Sequence, residues 1–125
     1  MKKQDAAVLL VDDDSTILNH LGQIFAKLGF STVIKMRHGL DAIRETKSKN
    51  YELVCLDIHL PDVTGLEVLQ EIRKNNKDVK VVMISGDATA QIVNQALELG
   101  ANGFVCKPFS PDKIIKALKH VARQP

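Results

Sequence analysis

Five short apolar runs alternate with five stretches of helical spacing along this chain, and nothing else restricts the fold as much. The runs are Ala6 to Val11, Phe30 to Ile34, the residues Leu53-Val54-Cys55-Leu56, Lys80 to Ser85 and Gly103 to Cys106. Between and after them, apolar residues recur every three to four positions. Ile17, Leu18, Leu21, Ile24, Phe25 and Leu28 mark a first helix, with Asp14 or Ser15 as its cap and Gly29 as its stop. Gly39 to Lys47 carries a weaker pattern. Leu66, Leu69 and Ile72 face inward on a helix over Gly65 to Lys74. Ile92, Val93, Ala96 and Leu97 mark a fourth helix that Gly100 ends. Ser110 caps and Pro111 starts a fifth, with Ile114, Ile115, Leu118 and Val121 toward the core. Strands that alternate with helical crossovers predict a parallel sheet covered by helices on both faces. Short right-handed crossovers leave few topologies.

In such a sheet every strand ends at the same edge, where open α/β folds place their ligand crevice. The chain puts its chemistry there. Asp12 and Asp13 follow the first run, Asp57 follows the third, Ser85 ends the fourth and Lys107 follows the fifth. Singly, each residue has a plainer reading as a cap, a turn or a surface charge, and for Asp14 the cap is the better one. At four separate strand ends, they predict one shared site. Facing carboxylates repel unless a counter-charge separates them. A hard divalent cation such as Mg²⁺ suits two or three carboxylates together with phosphate oxygens. Lys107 adds a point charge for a phosphate oxygen, and the Ser85 hydroxyl can donate to another. The set suggests phosphoryl transfer to a carboxylate, with Asp57 as nucleophile.

The bulk properties exclude other classes. A chain of 125 residues fits one domain with a real core. Its net charge of +2 is too small to mark a nucleic-acid binder. No apolar run approaches a membrane span, and Asp12 arrives too early for a secretory signal behind Met-Lys-Lys-Gln-Asp. Cys55 and Cys106 both lie in apolar runs, so both are expected as buried free thiols, in keeping with a reducing cytoplasm.

Taken together, Leu9-Leu10-Val11-Asp12-Asp13-Asp14, Leu53 to Asp57 with Leu60-Pro61-Asp62 and Gly65, Val82-Met83-Ile84-Ser85-Gly86, and Gly103 to Phe109 resemble the receiver domain of bacterial two-component response regulators. The likeness spans essentially the whole chain, 1–125, and in length it is similar to the single-domain chemotaxis regulators. It implies a flavodoxin-like doubly wound (βα)5 fold with strand order 2-1-3-4-5. It further implies that Asp57 accepts phosphate from a histidine kinase or histidine phosphotransfer protein. Asp12, Asp13, Asp57 and the backbone carbonyl of His59 hold Mg²⁺ in that reading. Ser85 and Phe104 act as switch residues, the Lys107-Pro108 bond is cis, and the fourth helix, fifth strand and fifth helix meet a downstream partner. Lys113, Lys116, Lys119 and Arg123 crowd that last helix.

Phe104 stands where tyrosine is frequent in the family, so an output contact through a hydroxyl is not available. His59 and Asp87 are placed to tune the lifetime of an acyl phosphate at the crevice mouth, with His59 expected to shield it from water. The chain acts alone or is a receiver cut from a larger regulator or hybrid kinase. The competing readings are a Mg²⁺-dependent aspartyl-phosphate phosphatase, a flavin carrier and a receiver that never takes phosphate. The phosphatase would want an acid where His59 stands. The flavin carrier would want a phosphate loop where Asp12-Asp13-Asp14 stands. The complete set Asp12, Asp13, Asp57, Ser85 and Lys107 argues against the last.

Overall fold

Each predicted run is a strand and each periodic stretch a helix. The computed structural model describes residues 6–124. The N-terminal pentapeptide and Pro125 lie outside the described residues. In order, the elements are β1 (Ala7–Val11), α1 (Ser15–Lys27), β2 (Thr32–Met36), α2 (Gly39–Ser48), β3 (Leu53–Leu56), α3 (Gly65–Asn75), β4 (Lys80–Ser85), α4 (Ala90–Glu98), β5 (Gly103–Cys106) and α5 (Pro111–Ala122). All strand pairs are parallel, in the order β2-β1-β3-β4-β5. The chain steps outward from β1 in one direction and then restarts on its other side with β3. The carboxyl ends of β1 and β3 therefore flank the point where the winding reverses, which opens a crevice.

The continuous apolar runs conceal a period of two. Val8, Leu10, Leu53, Cys55, Val82, Ile84 and Val105 face one side and pack on Leu18, Leu21 and Phe25 of α1 and Ile114 and Val121 of α5. Leu9, Val11, Val54, Leu56, Val81 and Met83 face the other, against Ala42 of α2, Leu69 and Ile72 of α3 and Ala96 of α4. Both faces are covered, so alternation in polarity never appears in the sequence. Asp14 caps α1 by accepting from Thr16 N–H, and Thr64, Thr89 and Ser110 cap α3, α4 and α5.

Several expectations need correction. The second strand begins at Thr32, not Phe30. Gly29, at φ 93°, turns the chain after α1, and buried Phe30 packs edge-on against Phe25 before pairing starts. Leu97 is 48% exposed, because only Ala96 of α4 is fully buried and that helix rests on the sheet by a narrow stripe. On α3, Val68 is fully buried while Leu66 is only partly so. On α5, Ile114 and Val121 are buried and Ile115 and Leu118 partly so. Cys55 is a buried thiol as expected, but Cys106 is exposed. β5 is an edge strand, and Cys106 alternates with Val105, so it points away from the face that Ile114 and Val121 of α5 cover.

Candidate functional site

Parallel registry builds the site. Val11 of β1 pairs with Leu56 of β3, so the next residues, Asp12 and Asp57, leave the sheet side by side. The Asp57 N–H still donates to the Val11 carbonyl, at 3.0 Å, which ties the start of one loop to the end of the other strand. Lys107 follows β5, two strands away, and its N–H donates to the Ser85 carbonyl at 2.9 Å. Its side chain crosses the end of β4. Nζ then donates to Asp12 Oδ2 at 2.7 Å and to Asp57 Oδ2 at 3.1 Å. The remaining oxygens are also used: Asp12 Oδ1 accepts from Asp14 N–H at 2.9 Å and Asp57 Oδ1 from Ile58 N–H at 2.7 Å. The Lys107-Pro108 bond is cis, as the resemblance implied.

Two nearly inaccessible carboxylates, Asp12 at 1% and Asp57 at 5% exposure, thus share one ammonium. One positive charge does not neutralise two negative ones, and desolvation makes the imbalance costly. Burial pushes the Asp12 carboxyl above its usual range, the bonds from Lys107 and the Asp14 amide oppose this, and the Asp57 charge adds to it. Burial alone would lower the Lys107 ammonium, but the bond to Asp12 and the charges of both carboxylates outweigh it and hold it above its ordinary value. Asp13 is exposed, yet it completes a set in which single oxygens of Asp12, Asp13 and Asp57 all lie within 4.8 Å of one another. Three oxygen donors with a residual negative charge fit a hard divalent cation, and fit Mg²⁺ in particular if water and a phosphate oxygen complete the shell.

The other predicted residues rim this cluster. Ser85 is fully buried at the end of β4, and its hydroxyl accepts from Asp87 N–H at 3.1 Å. His59 Nε2 and Asp87 Oδ2 are 3.2 Å apart, so the two side chains at the mouth touch each other. Phe104 pairs with Met83 across β5 and β4 and is half-buried. Asp14 stays outside the cluster as the α1 cap.

Three further residues shape the site. A Cβ on Gly65 would lie 2.0 Å from the Asp57 carbonyl oxygen and 2.7 Å from Ile58 Cα. The start of α3 therefore sits directly on the backbone that carries Asp57, with Gly65 N–H donating to the Ile58 carbonyl at 2.7 Å. Arg37 donates from Nε and Nη2 to the Asp13 carbonyl. Asp62 accepts the Gly39 and Leu40 amides at the start of α2. The first of these was visible as a motif glycine. Arg37 carries no signal in sequence, since a loop arginine looks like an ordinary surface residue, and Asp62, though part of the Leu60-Pro61-Asp62 stretch, gives no sign there of which amides it holds.

A parallel sheet with an acidic, lysine-bridged crevice at its winding reversal is the architecture of a phosphorylation-dependent response regulator. Residues 8–119 match the response regulator receiver domain, and the chain belongs to that family. It is similar to chemotaxis protein CheY of Thermotoga maritima, 29% identical over 93% of this chain and 97% of that one. It is also similar to chemotaxis protein CheY of Listeria monocytogenes, 31% identical over 93% and 98%. Among solved structures, a CheX-CheY-BeF3-Mg²⁺ complex from Borrelia burgdorferi superposes with a TM-score of 0.91 at 31% identity, covering 95% of this chain and 90% of that one. The chain is thus a signalling receiver of the chemotaxis-regulator type. Among the described residues no helix is long and apolar enough to cross a membrane.

Proposed function

We propose that Asp57 accepts a phosphoryl group from a phosphohistidine on a sensor kinase or phosphotransfer protein of the bacterial cytoplasm, and that the modified domain then binds a downstream protein through α4, β5 and α5. The observation that carries this is Lys107 Nζ held between the buried carboxylates of Asp12 and Asp57, beside the buried Ser85 hydroxyl. An Asp57 oxygen bonds to phosphorus as the donor's P–N bond breaks, and the imidazole leaves. Lys107 is positioned to turn from Asp57 toward the incoming phosphoryl oxygens. Asp12, Asp13, Asp57 and the His59 carbonyl would hold Mg²⁺, which when bound neutralises charge on the transferring group. Ser85 would donate its hydroxyl to a phosphoryl oxygen, releasing the Asp87 amide, with Phe104 following it on the neighbouring strand. No observation favours the phosphatase alternative.

The test is intact-mass measurement after incubation with acetyl phosphate. One added phosphoryl group is expected with Mg²⁺ and none in EDTA or in Asp57→Asn. Modification of Asp57→Asn at the wild-type level would refute the assignment.

Lifetime supplies a second expected result. The acyl phosphate is lost when water attacks phosphorus opposite the Asp57 oxygen, and the P–O bond to Asp57 breaks. His59 Nε2 lies 3.2 Å from Asp87 Oδ2, and in this reading the pair stands at the mouth from which that water comes. A ring excludes solvent over a wider angle than it helps one water to attack. His59→Ala is therefore expected to shorten the phosphorylated lifetime severalfold, followed as decay of the Asp57 phosphoryl group. Equal or slower decay would reject shielding.

A further inference from the structure

The cation donors sit on two loops that no backbone hydrogen bond joins beyond the Asp57–Val11 rung. Asp12 and Asp13 are on the loop from β1 to α1. Asp57 and His59 are on the loop from β3 to α3. A third loop, between β2 and α2, touches both. Arg37 Nε and Nη2 donate to the Asp13 carbonyl oxygen at 3.0 and 2.9 Å. Two and three residues later, Gly39 N–H donates to Asp62 Oδ1 and Leu40 N–H to Asp62 Oδ2, each at 2.9 Å. Four hydrogen bonds from residues 37–40 thus grip both donor loops.

The local chemistry shows that this grip is built into the packing. His38 stands at the N-cap of α2 but makes no side-chain cap bond. The cap comes instead from Asp62, 22 and 23 residues away from the amides it holds. The Leu40 amide first, and with it those of Gly39, Val63 and Asp62, keep the Asp62 carboxyl down at about 2, so the acceptor is ionised across the whole working range. A Cβ on Gly39 would meet Val63 Cγ2 at 2.5 Å and Val68 Cγ2 at 2.8 Å, so the third loop is pressed against the segment that follows Asp62. A guanidinium fork on one carbonyl oxygen, and a carboxylate fork on two amides, fix direction as well as distance.

We propose that residues 37–40 form a bracket that sets the spacing of the two donor loops, with Arg37 and Asp62 as positioning residues for divalent-cation binding. The inference rests on the reading that Asp12, Asp13 and Asp57 bind Mg²⁺. Residues that orient metal ligands in this way change affinity about 10–100-fold when removed. Because a bracket fails when either arm is cut, the two arms are not independent.

Mg²⁺ titrations followed by amide NMR shifts of residues 12–14 and 57–59 test this on the intact protein. Arg37→Ala is expected to weaken Mg²⁺ binding about tenfold, although removal of a cation beside three carboxylates would by itself tighten it. Asp62→Ala is expected to weaken it similarly, and Asp62→Asn, which has the same charge as Asp62→Ala but keeps one acceptor, less. The double variant Arg37→Ala/Asp62→Ala is expected to be no weaker than either single one. Loss of the α2 cap is separated by adding His38→Ser to Asp62→Ala, which is expected to restore thermal stability but not Mg²⁺ affinity. Tighter binding by Arg37→Ala, additive effects in the double variant, or recovery of affinity with His38→Ser would each overturn the bracket.

A metal-free readout accompanies the titration. In EDTA, Arg37→Ala is expected to speed hydrogen exchange severalfold at the Ile58 amide, and Asp62→Ala at the Asp14 amide, each across the bracket from the change. A wild-type protein without Mg²⁺-dependent shifts would overturn the cation reading, while unchanged cross-bracket exchange would overturn the bracket.

Discussion

In EDTA, Lys107→Met is expected to lower the stability of the protein by about 2 kcal/mol, and Asp57→Asn to raise it by about 1 kcal/mol. The opposite signs come from one charge count. Asp12 and Asp57 are buried and share a single ammonium. Removing the ammonium leaves two uncompensated carboxylates, and breaking a fully buried pair costs about 3–5 kcal/mol. Lys107 retains 21% side-chain exposure, which reduces that figure. Removing the Asp57 charge leaves a neutral pair of Asp12 and Lys107. Asp13→Asn changes stability in the same direction but less, because Asp13 is exposed and water already screens it. At this chain length, 1 kcal/mol corresponds to about 3–5 °C in melting temperature.

The pH dependence follows from Asp12. Its carboxyl is raised in the folded state, so the native protein binds the proton more tightly than the unfolded chain does. Stability from this group falls as pH rises from the ordinary carboxylate range through the raised value. The deficit of Lys107→Met is therefore expected to shrink in acid and to shrink again on adding Mg²⁺. Melting curves in EDTA and in Mg²⁺ at neutral and acid pH check both. Phosphorylation of Lys107→Met by acetyl phosphate is expected to be about a hundredfold slower, the usual cost of deleting one donor to developing charge. A variant as stable in EDTA as the wild type would mean that the carboxylates do not repel.

Gly65→Ala is expected to cost about 3 kcal/mol, at the upper end of what overpacking does. The neighbours that an added Cβ would strike are backbone atoms of Asp57 and Ile58, which have no rotamer to escape into. Relief requires α3 to lift from the end of β3, and the Gly65 to Ile58 hydrogen bond goes with it. The same shift moves Asp57 relative to Asp12, so Mg²⁺-dependent phosphorylation is expected to fall together with a melting temperature about 10–15 °C lower. Positive φ plays no part, since Gly29 and Gly100 alone among the described residues have it. Wild-type stability in Gly65→Ala would show that the approach of α3 to Asp57 is looser than these distances.

Much of this protein is determined by the sequence alone. Ten elements follow from period and punctuation, because a parallel sheet must bury both faces and its crossovers must be helical. Asp12, Asp57, Ser85 and Lys107 fall at one edge for the same reason, as every parallel strand ends on the same side. Other features needed the tertiary structure, because they depend on distances between segments that the sequence does not relate. Lys107 reaches both Asp12 and Asp57 only because β4 alone separates β3 from β5 and one lysine chain spans that gap. Cys106 is exposed because β5 lies at the sheet's edge, although like Cys55 it belongs to an apolar run. Arg37 on the Asp13 carbonyl and Asp62 on the α2 amides are contacts between loops, and loops carry no period from which a partner can be read.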